Sequence, residues 1–262
     1  MANDSMKKTF GVALALCVVC AVVVASSAVL LRPTQQANKT LDLKKNILAS
    51  AGLLQEGVSV ETQFAQVATR VVDLETGRFT DAVDAATYDQ RKASKDPALS
   101  ISLTDGNDPA KLKRRAKYAT VYIVEGENGV EKVILPIKGY GLWSTLYGFL
   151  ALESDLQTVA GIGFYEHAET PGLGGEVDNP NWKASWVGKQ AYSAGELAIS
   201  VVKGKVDLER AGSESQIDGL AGATLTTRGV NNLVQYWLGD QGFKPFITHL
   251  KEIGRASCRE RV

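Results

Sequence analysis

The chain opens with an uninterrupted apolar run. From Thr9 to Leu31 there are 23 residues without a charge. At about 1.5 Å per residue, a helix of that length reaches roughly 34 Å and can cross a hydrocarbon core of about 30 Å. A cleavable signal peptide is the competing reading, because Ala25-Ser26-Ser27-Ala28 supplies small residues. The apolar core of such a peptide is about 7–15 residues long, and this run is longer, so an uncleaved anchor is expected. Lys7 and Lys8 precede the run, but Arg32, Lys39, Lys44 and Lys45 follow it, so a raw count does not orient it. Long domains translocate largely regardless of charge, and a short basic tail commonly stays in the cytoplasm. The expected arrangement is a cytoplasmic tail over 1–8, a span over 9–31 and a body outside the membrane.

Beyond the run the pattern becomes mixed. Asn38 to Ala51 has helical content and stops at Gly52, and a second helix is expected near Val60 to Thr69, leading into Arg70–Leu74. Pro, Gly, Asp and Ser punctuate Thr80 to Asp108, which reads as a long surface excursion. Strand-like runs follow at Ala119–Val124, Glu131–Ile137, Leu146–Glu153 and Thr158–Glu166. Glu127-Asn128-Gly129 and Ser154-Asp155 fall between them as turns, and connections that short favour antiparallel neighbours. Leu197–Val202 is expected to be a further strand, and Thr226–Leu238 a helix ended by Gly239. The predicted class is α+β: one transmembrane helix, then a largely antiparallel sheet with flanking helices.

Charge and cysteine usage narrow the function. Lys+Arg and Asp+Glu are 29 each, which excludes a strongly basic nucleic-acid binder. Ile253–Val262 reads as the in-frame translation of a sequencing adapter and is expected to be foreign. Setting aside its charges (Arg255, Arg259, Arg261 and Glu260) and those around the span (Lys7, Lys8, Arg32 and Asp4) leaves 23 basic against 27 acidic residues, a body of −4. Cys17 and Cys20 lie in the span and Cys258 in the tail, so the body holds no disulfide framework, Cys metal site or iron–sulfur cluster. His167 and His249, the two histidines, lie far apart in sequence and suggest neither a metal site nor a catalytic triad.

Three glycine-rich segments carry the candidate chemistry: Lys138–Trp143 and His167–Glu176, each after a strand, and Asp218–Thr226, before a helix. Glycine lets a backbone approach a ligand closely. The third is the most explicit. Gly222-Ala223-Thr224 enters a helix whose first N–H groups lack intrahelical partners, an end that attracts phosphate. The Thr224 hydroxyl can bond to such a phosphate or be esterified to it. The plainer alternative makes Thr224, Thr226 or Thr227 an ordinary N-cap.

Asp218-Gly219-Leu220-Ala221-Gly222-Ala223-Thr224 resembles the flavinylation motif of bacterial FMN-binding domains, with Ala221 where Ser or Thr is usual. Glu169-Thr170-Pro171-Gly172-Leu173-Gly174 and Gly141-Leu142-Trp143 match two further hallmarks, in family order. The continuation Gly175–Trp182 is similar to the C subunits of sodium-translocating NADH:quinone reductases, with the G subunits of Rnf electron-transport complexes as the alternative. The resemblance spans Met1 to Glu252. It implies an FMN-binding domain over 116–252, after a helical and loop segment over 32–115. It also implies FMN joined through its phosphate to Thr224 by a flavin transferase, and a body on the periplasmic side of a bacterial inner membrane. The partners it implies are the other subunits of an NADH:quinone reductase, in which this subunit relays electrons while Na⁺ is exported.

Around that cofactor, Asp218, Gly222 and Ala223 belong to the motif, and Thr226, two residues beyond it, is a further candidate at the cofactor. Trp143 and Leu173 are candidates to pack on the isoalloxazine. Glu169 and Thr170 are candidates to position its polar edges, Gly172 and Gly174 to bind beside them, and Lys203 to screen the phosphate. No residue is expected to act as nucleophile or metal ligand, since flavin carries the redox chemistry itself. A membrane-anchored ligand-binding module without redox duty is the reading from a different class.

Overall fold

The computed structural model describes residues 6–126 and 129–259. The chain divides into two compact units at Leu43/Lys44. One helix, α1 (Met6–Ser50), makes up the described part of the first unit, and its last turns belong to the second. It is long and apolar enough to cross a membrane, and none of its apolar stretch is buried within the protein. A soluble core helix would bury that surface. The span and the helix expected from Asn38 are one element, because Pro33 costs the helix a single backbone donor while the residues on both sides favour helix.

The second unit is built on an antiparallel sheet. Its first strands are β1 (Val67–Asp73) and β2 (Arg78–Phe79). A short side pair follows, β3 (Ser100–Ser102) with β4 (Arg114–Ala116). The long strands are β5 (Tyr118–Gly126), β6 (Gly129–Tyr140), β7 (Thr145–Glu153) and β8 (Val159–Glu166), and the spatial order is β2-β1-β5-β6-β7-β8. The four strand-like runs of the sequence lie within β5–β8, apart from Thr158 at the edge of the last. Of the turn between β5 and β6, Glu127 and Asn128 lie outside the described residues, and Gly126 pairs with Gly129. The division expected at residue 116 runs between two strands of one sheet, since β1 pairs with β5 from Val67↔Val124 to Asp73↔Tyr118.

Several expectations are corrected. The helix expected over Val60–Thr69 is only α2 (Val60–Phe64), and Val67 already belongs to β1. The buried Gln63 side chain bonds the Gln55 and Val58 carbonyls and closes that turn, while β-branched Val67, Thr69, Val71 and Val72 suit a strand. The excursion from Thr80 carries α3 (Gln90–Ala93), capped by Asp89, as well as β3. A short helix, α4 (Pro180–Ala184), follows β8. The strand expected at Leu197–Val202 is split: β9 (Tyr192–Ser193) pairs with β10 (Glu196–Leu197), and β11 (Ser200–Val201) pairs in parallel with β12 (Gln216–Ile217). Helix α5 (Thr224–Leu238) starts two residues earlier than expected, and α6 (Lys244–Arg259) has no counterpart among the expected elements.

The main core lies between one sheet face and α5. Val133, Leu135 and Ile137 of β6 and Leu146, Leu150 and Leu152 of β7 meet Val230, Leu233, Val234 and Trp237. Period two on the strands and about 3.6 on the helix bring both apolar sets to one interface. The Trp237 indole donates to the Lys138 carbonyl at 2.7 Å, tying α5 to β6. On the other face an aromatic series runs Phe64–Tyr122–Phe149–Tyr165, with centroids 5.2–6.2 Å apart. The end of α1 covers part of that face, with Ile47 and Leu48 buried and Ser50 against Gly161.

Candidate functional site

The three glycine-rich segments converge at one end of the sheet. The first turns between β6 and β7, closed by the Gly141 N–H donating to the Ser144 carbonyl at 2.8 Å. The second leaves β8 and folds back on itself, with the Leu173 and Gly175 N–H groups both donating to the Thr170 carbonyl. The third runs into α5 and is anchored from behind. Trp182 Nε1 donates to the Asp218 carbonyl at 2.9 Å, Asp218 Oδ1 accepts from the Val206 N–H at 2.7 Å, and Gly219 N–H donates to the Gly204 carbonyl at 2.7 Å. The last bonds bring the stretch after Lys203 alongside the motif.

Glu169 joins the segments. Its Oε1 accepts from the Leu142 and Trp143 N–H groups, both at 3.0 Å, and from Ser144 at 3.4 Å, while Oε2 accepts from the Thr226 hydroxyl at 2.7 Å. The residue is 5% exposed. Burial alone would push its carboxyl up. The bonds from Thr226, Trp143, Leu142 and Ser144 overcome that and hold it below the usual carboxylate range. Two glycines make the room. A Cβ on Gly141 would lie 2.6 Å from Oε1, and one on Gly174 would lie 2.5 Å from the Thr226 hydroxyl and 2.7 Å from Oε2. Glu169, Gly174 and Thr226, expected at a ligand, are thus engaged with one another. The neighbouring His167 accepts from the Glu169 N–H through Nδ1, so its Nε2 carries the proton donated to Asp178 at 2.8 Å.

The hydroxyls at the start of α5 are sorted by the same packing. Thr226 is 1% exposed and spent on Glu169, and Thr227 is buried with its oxygen accepting from the Leu220 N–H at 3.0 Å. Thr224 is exposed. No side chain caps the helix: the N-cap is Ala223, and Thr227 N–H closes the first turn onto its carbonyl. The first N–H groups of α5 are therefore left to whatever binds there. Gly222 has φ +72°, a left-handed conformation that side chains resist. It lies against Leu173, which a Cβ would approach to 3.1 Å.

Around this end large apolar side chains stand exposed among polar ones. Trp143, Leu173 and Leu225 are exposed, Trp143 by 66%. Thr170, Gly172 and Lys203 are also exposed. Two further residues at this end stand outside the motifs. Leu225 and Arg228 are exposed on the first turns of α5, and Arg228 lies four residues after Thr224, on the same helical face. Long helical side chains lean towards the N-terminus, so Arg228 is placed to reach the turn that carries Thr224. The i, i+4 spacing is visible in sequence, but only once the helix is known to begin at Thr224. The residues fit a flavin phosphate: an open hydroxyl at an uncapped helix start, nearby cations and an apolar surface beside it.

Residues 141–239 match the FMN-binding domain family. The chain is 54% identical over 258 residues to the C subunit of the Na(+)-translocating NADH-quinone reductase of Pseudomonas aeruginosa, covering 96% of this chain and 99% of that one. It is 50% identical over 254 residues to the corresponding C subunit of Vibrio vulnificus, covering 96% and 98%. Among solved structures it is similar to NqrC of Shewanella oneidensis, with a TM-score of 0.75 and 35% identity over 82% of this chain and 99% of that one. It is also similar to the C subunit of the Na(+)-translocating NADH-quinone reductase of Parabacteroides distasonis, with a TM-score of 0.65 and 27% identity over 83% and 97%.

Proposed function

The chain belongs to the family of the C subunits of Na⁺-translocating NADH-quinone reductases, and from that membership we propose that it is an electron-relay subunit with FMN esterified through its phosphate to Thr224. The observation that carries the attachment is the sorting of hydroxyls: Thr226 and Thr227 are buried and hydrogen-bonded, and Thr224 is open. A bound flavin supplies one- and two-electron redox chemistry without a nucleophile or metal from the protein.

The chain's own residues bind and orient. The free N–H groups at the start of α5 stabilise the remaining negative charge of a phosphodiester by about 0.3–1 kcal/mol in an exposed setting. Arg228 and Lys203 add screened positive charge. Trp143, Leu173 and Leu225 offer apolar surface to an isoalloxazine, and Thr170 a polar edge. The helix-end term is too small to select one hydroxyl among three, so steric access and recognition of Asp218–Thr224 by a flavin transferase supply the selectivity. The other subunits of the reductase bind NADH and move Na⁺. Between Thr9 and Leu31 this chain has no ionisable side chain but two thiols, so its span offers no ion path. That span is retained as the anchor, with the body on the periplasmic side.

Peptide mass mapping after co-expression with a flavin transferase tests the attachment. An increment of FMN minus water is expected on the peptide containing Thr224. Thr224→Ala loses it, Thr224→Ser keeps part of it, and Thr226→Ala keeps it. An increment on Thr226 would move the site by two residues. No increment, with an active transferase present, would sink the covalent reading and turn suspicion onto Ala221.

A further inference from the structure

Four donors from two segments converge on one buried carboxylate. Three are consecutive backbone N–H groups, Leu142 to Ser144, and the fourth is the Thr226 hydroxyl in the first turn of α5. Hydrogen bonds to an ionised acceptor are roughly twice as strong as neutral ones, and removing the acceptor leaves buried donors unsatisfied. Both oxygens are occupied, and Gly141 and Gly174 pack so closely on them that a Cβ at either position would collide. The carboxylate therefore faces the protein. What it holds, however, is the turn that presents the exposed Trp143, and it holds that turn to the helix that presents Thr224. The Trp143 indole stands 66% exposed, and the backbone from which it projects is held by its N–H donating to Glu169 Oε1 at 3.0 Å.

We propose that Glu169 is a positioning residue of the flavin site, acting through Trp143: it clasps the Leu142–Ser144 turn to α5 and so fixes the indole relative to the attachment point. The proposal rests on the flavin reading above and goes beyond it, because it removes Glu169 from contact with the cofactor and assigns it the alignment of another residue. Glu169→Gln retains one carbonyl oxygen for the three amides but places an NH₂ or a reoriented amide against Thr226. It is expected to act as a partial rescue. Glu169→Ala removes every acceptor.

The test uses the full chain, purified with and without a co-expressed flavin transferase. Without flavin, amide hydrogen exchange at Leu142, Trp143 and Ser144 is expected to accelerate about tenfold or more in Glu169→Ala and less in Glu169→Gln, the loss of charged hydrogen bonds having that order of effect. With flavin loaded, the readouts are the visible circular dichroism of the flavin and the quenching of Trp143 emission, referenced to Trp143→Phe. Glu169→Ala is expected to lose most of the Trp143-dependent signal, and Glu169→Gln to keep the larger part. Combining Glu169→Ala with Trp143→Phe is expected to change the flavin signal no further than Trp143→Phe alone. Additive effects in that pair would overturn the proposal. So would faster exchange with an unchanged flavin signature, which is what a plain structural staple gives. If Glu169→Ala fails to fold, Thr226→Val removes one side of the clasp and must shift the same signals in the same direction. A wild-type chain that takes no flavin beside an active transferase overturns the flavin reading and this proposal together. Unchanged exchange in Glu169→Ala overturns the clasp alone.

Discussion

Gly229 lies in the interior of α5, where alanine is normally the better residue, and the structure sets two effects of opposite sign against each other. Replacing a helix-interior glycine by alanine gains about 0.8–1 kcal/mol in propensity. Here the new Cβ would lie 2.6 Å from the Tyr140 carbonyl oxygen and 2.9 Å from Gly141 Cα. Both obstacles are backbone, so no side-chain rotation relieves them. That backbone is also tethered, with Tyr140 N–H on the Ala110 carbonyl at 2.9 Å and Gly141 N–H on the Ser144 carbonyl at 2.8 Å. Overpacking costs about 1–3 kcal/mol and occasionally more, and rigid obstacles on one side put this site at the upper end. The clash wins, leaving Gly229→Ala destabilised by about 2 kcal/mol. In a body of this size that lowers the unfolding midpoint by about 4–8 °C.

Thermal unfolding in detergent, followed by far-ultraviolet circular dichroism, reads the shift. Gly254→Ala on α6 is the control, because nothing lies within 4 Å of that position and only propensity changes. The same clash pushes the start of α5 away from the Gly141–Trp143 turn, so flavin loading should fall more than the midpoint alone explains. A midpoint equal to or above wild type would refute the reasoning. It would mean that α5 slides freely on β6 and that the close approach is not what holds α5 to the Gly141–Trp143 turn.

Two further outcomes are expected. Lys138 is pushed down to about 8 by burial and by Arg91 and Lys95, against the opposing pull of Asp108. Between about pH 8 and 10 the unfolded chain then binds more protons than the folded one, so stability rises with pH, by at most about 1.4 kcal/mol per unit. Buried tyrosines, including Tyr88 and Tyr122, oppose this only above about pH 10, where they ionise more easily unfolded. Lys138→Met should flatten the rise in denaturant titrations, and parallel wild-type and variant curves would exclude the assignment. Arg228→Ala should leave the fold intact and lower covalent flavin content measured by mass, more so at low salt than at high salt, where screening already weakens the wild-type attraction. Equal loading at every salt concentration would remove Arg228 from the phosphate's surroundings.

What is legible in the sequence is what local pattern decides. β5 to β8 announce themselves because β5 alternates buried and open positions while β7 and β8, covered on both faces, carry continuous apolar runs, and their connections are too short for anything but antiparallel pairing. The elements that local pattern misjudges depend on distant partners. Val67 and Thr69 continue the helical stretch from Val60 by composition, but their place beside Val124 and Tyr122 is decided more than fifty residues later. Leu197–Val202 has the apolar content of one strand, yet β10 pairs backwards with β9 and β11 forwards with β12, which no single straight strand can do. Helix α6 is hard to see because its apolar stripe, Phe246, Ile247 and Leu250, is short.

The glycines give the sharper lesson about the site. Their clustering suggests room for a ligand, and their cause is mixed. Gly141 and Gly174 are small because Glu169 and Thr226 fill the space a side chain would take. Gly222 is different: it bends through a left-handed conformation on the surface, one residue before the N-cap of α5. Packing glycines bring the Trp143 turn and the helix together, and the surface glycine leaves the Thr224 hydroxyl approachable. A motif reports both kinds with the same letter. Only the long-range partner of Glu169, 57 residues away at Thr226, separates them. The Gly141 and Gly174 positions are therefore expected to tolerate alanine poorly even in the flavin-free protein, whereas strain at Gly222 is local to the surface turn that precedes Thr224.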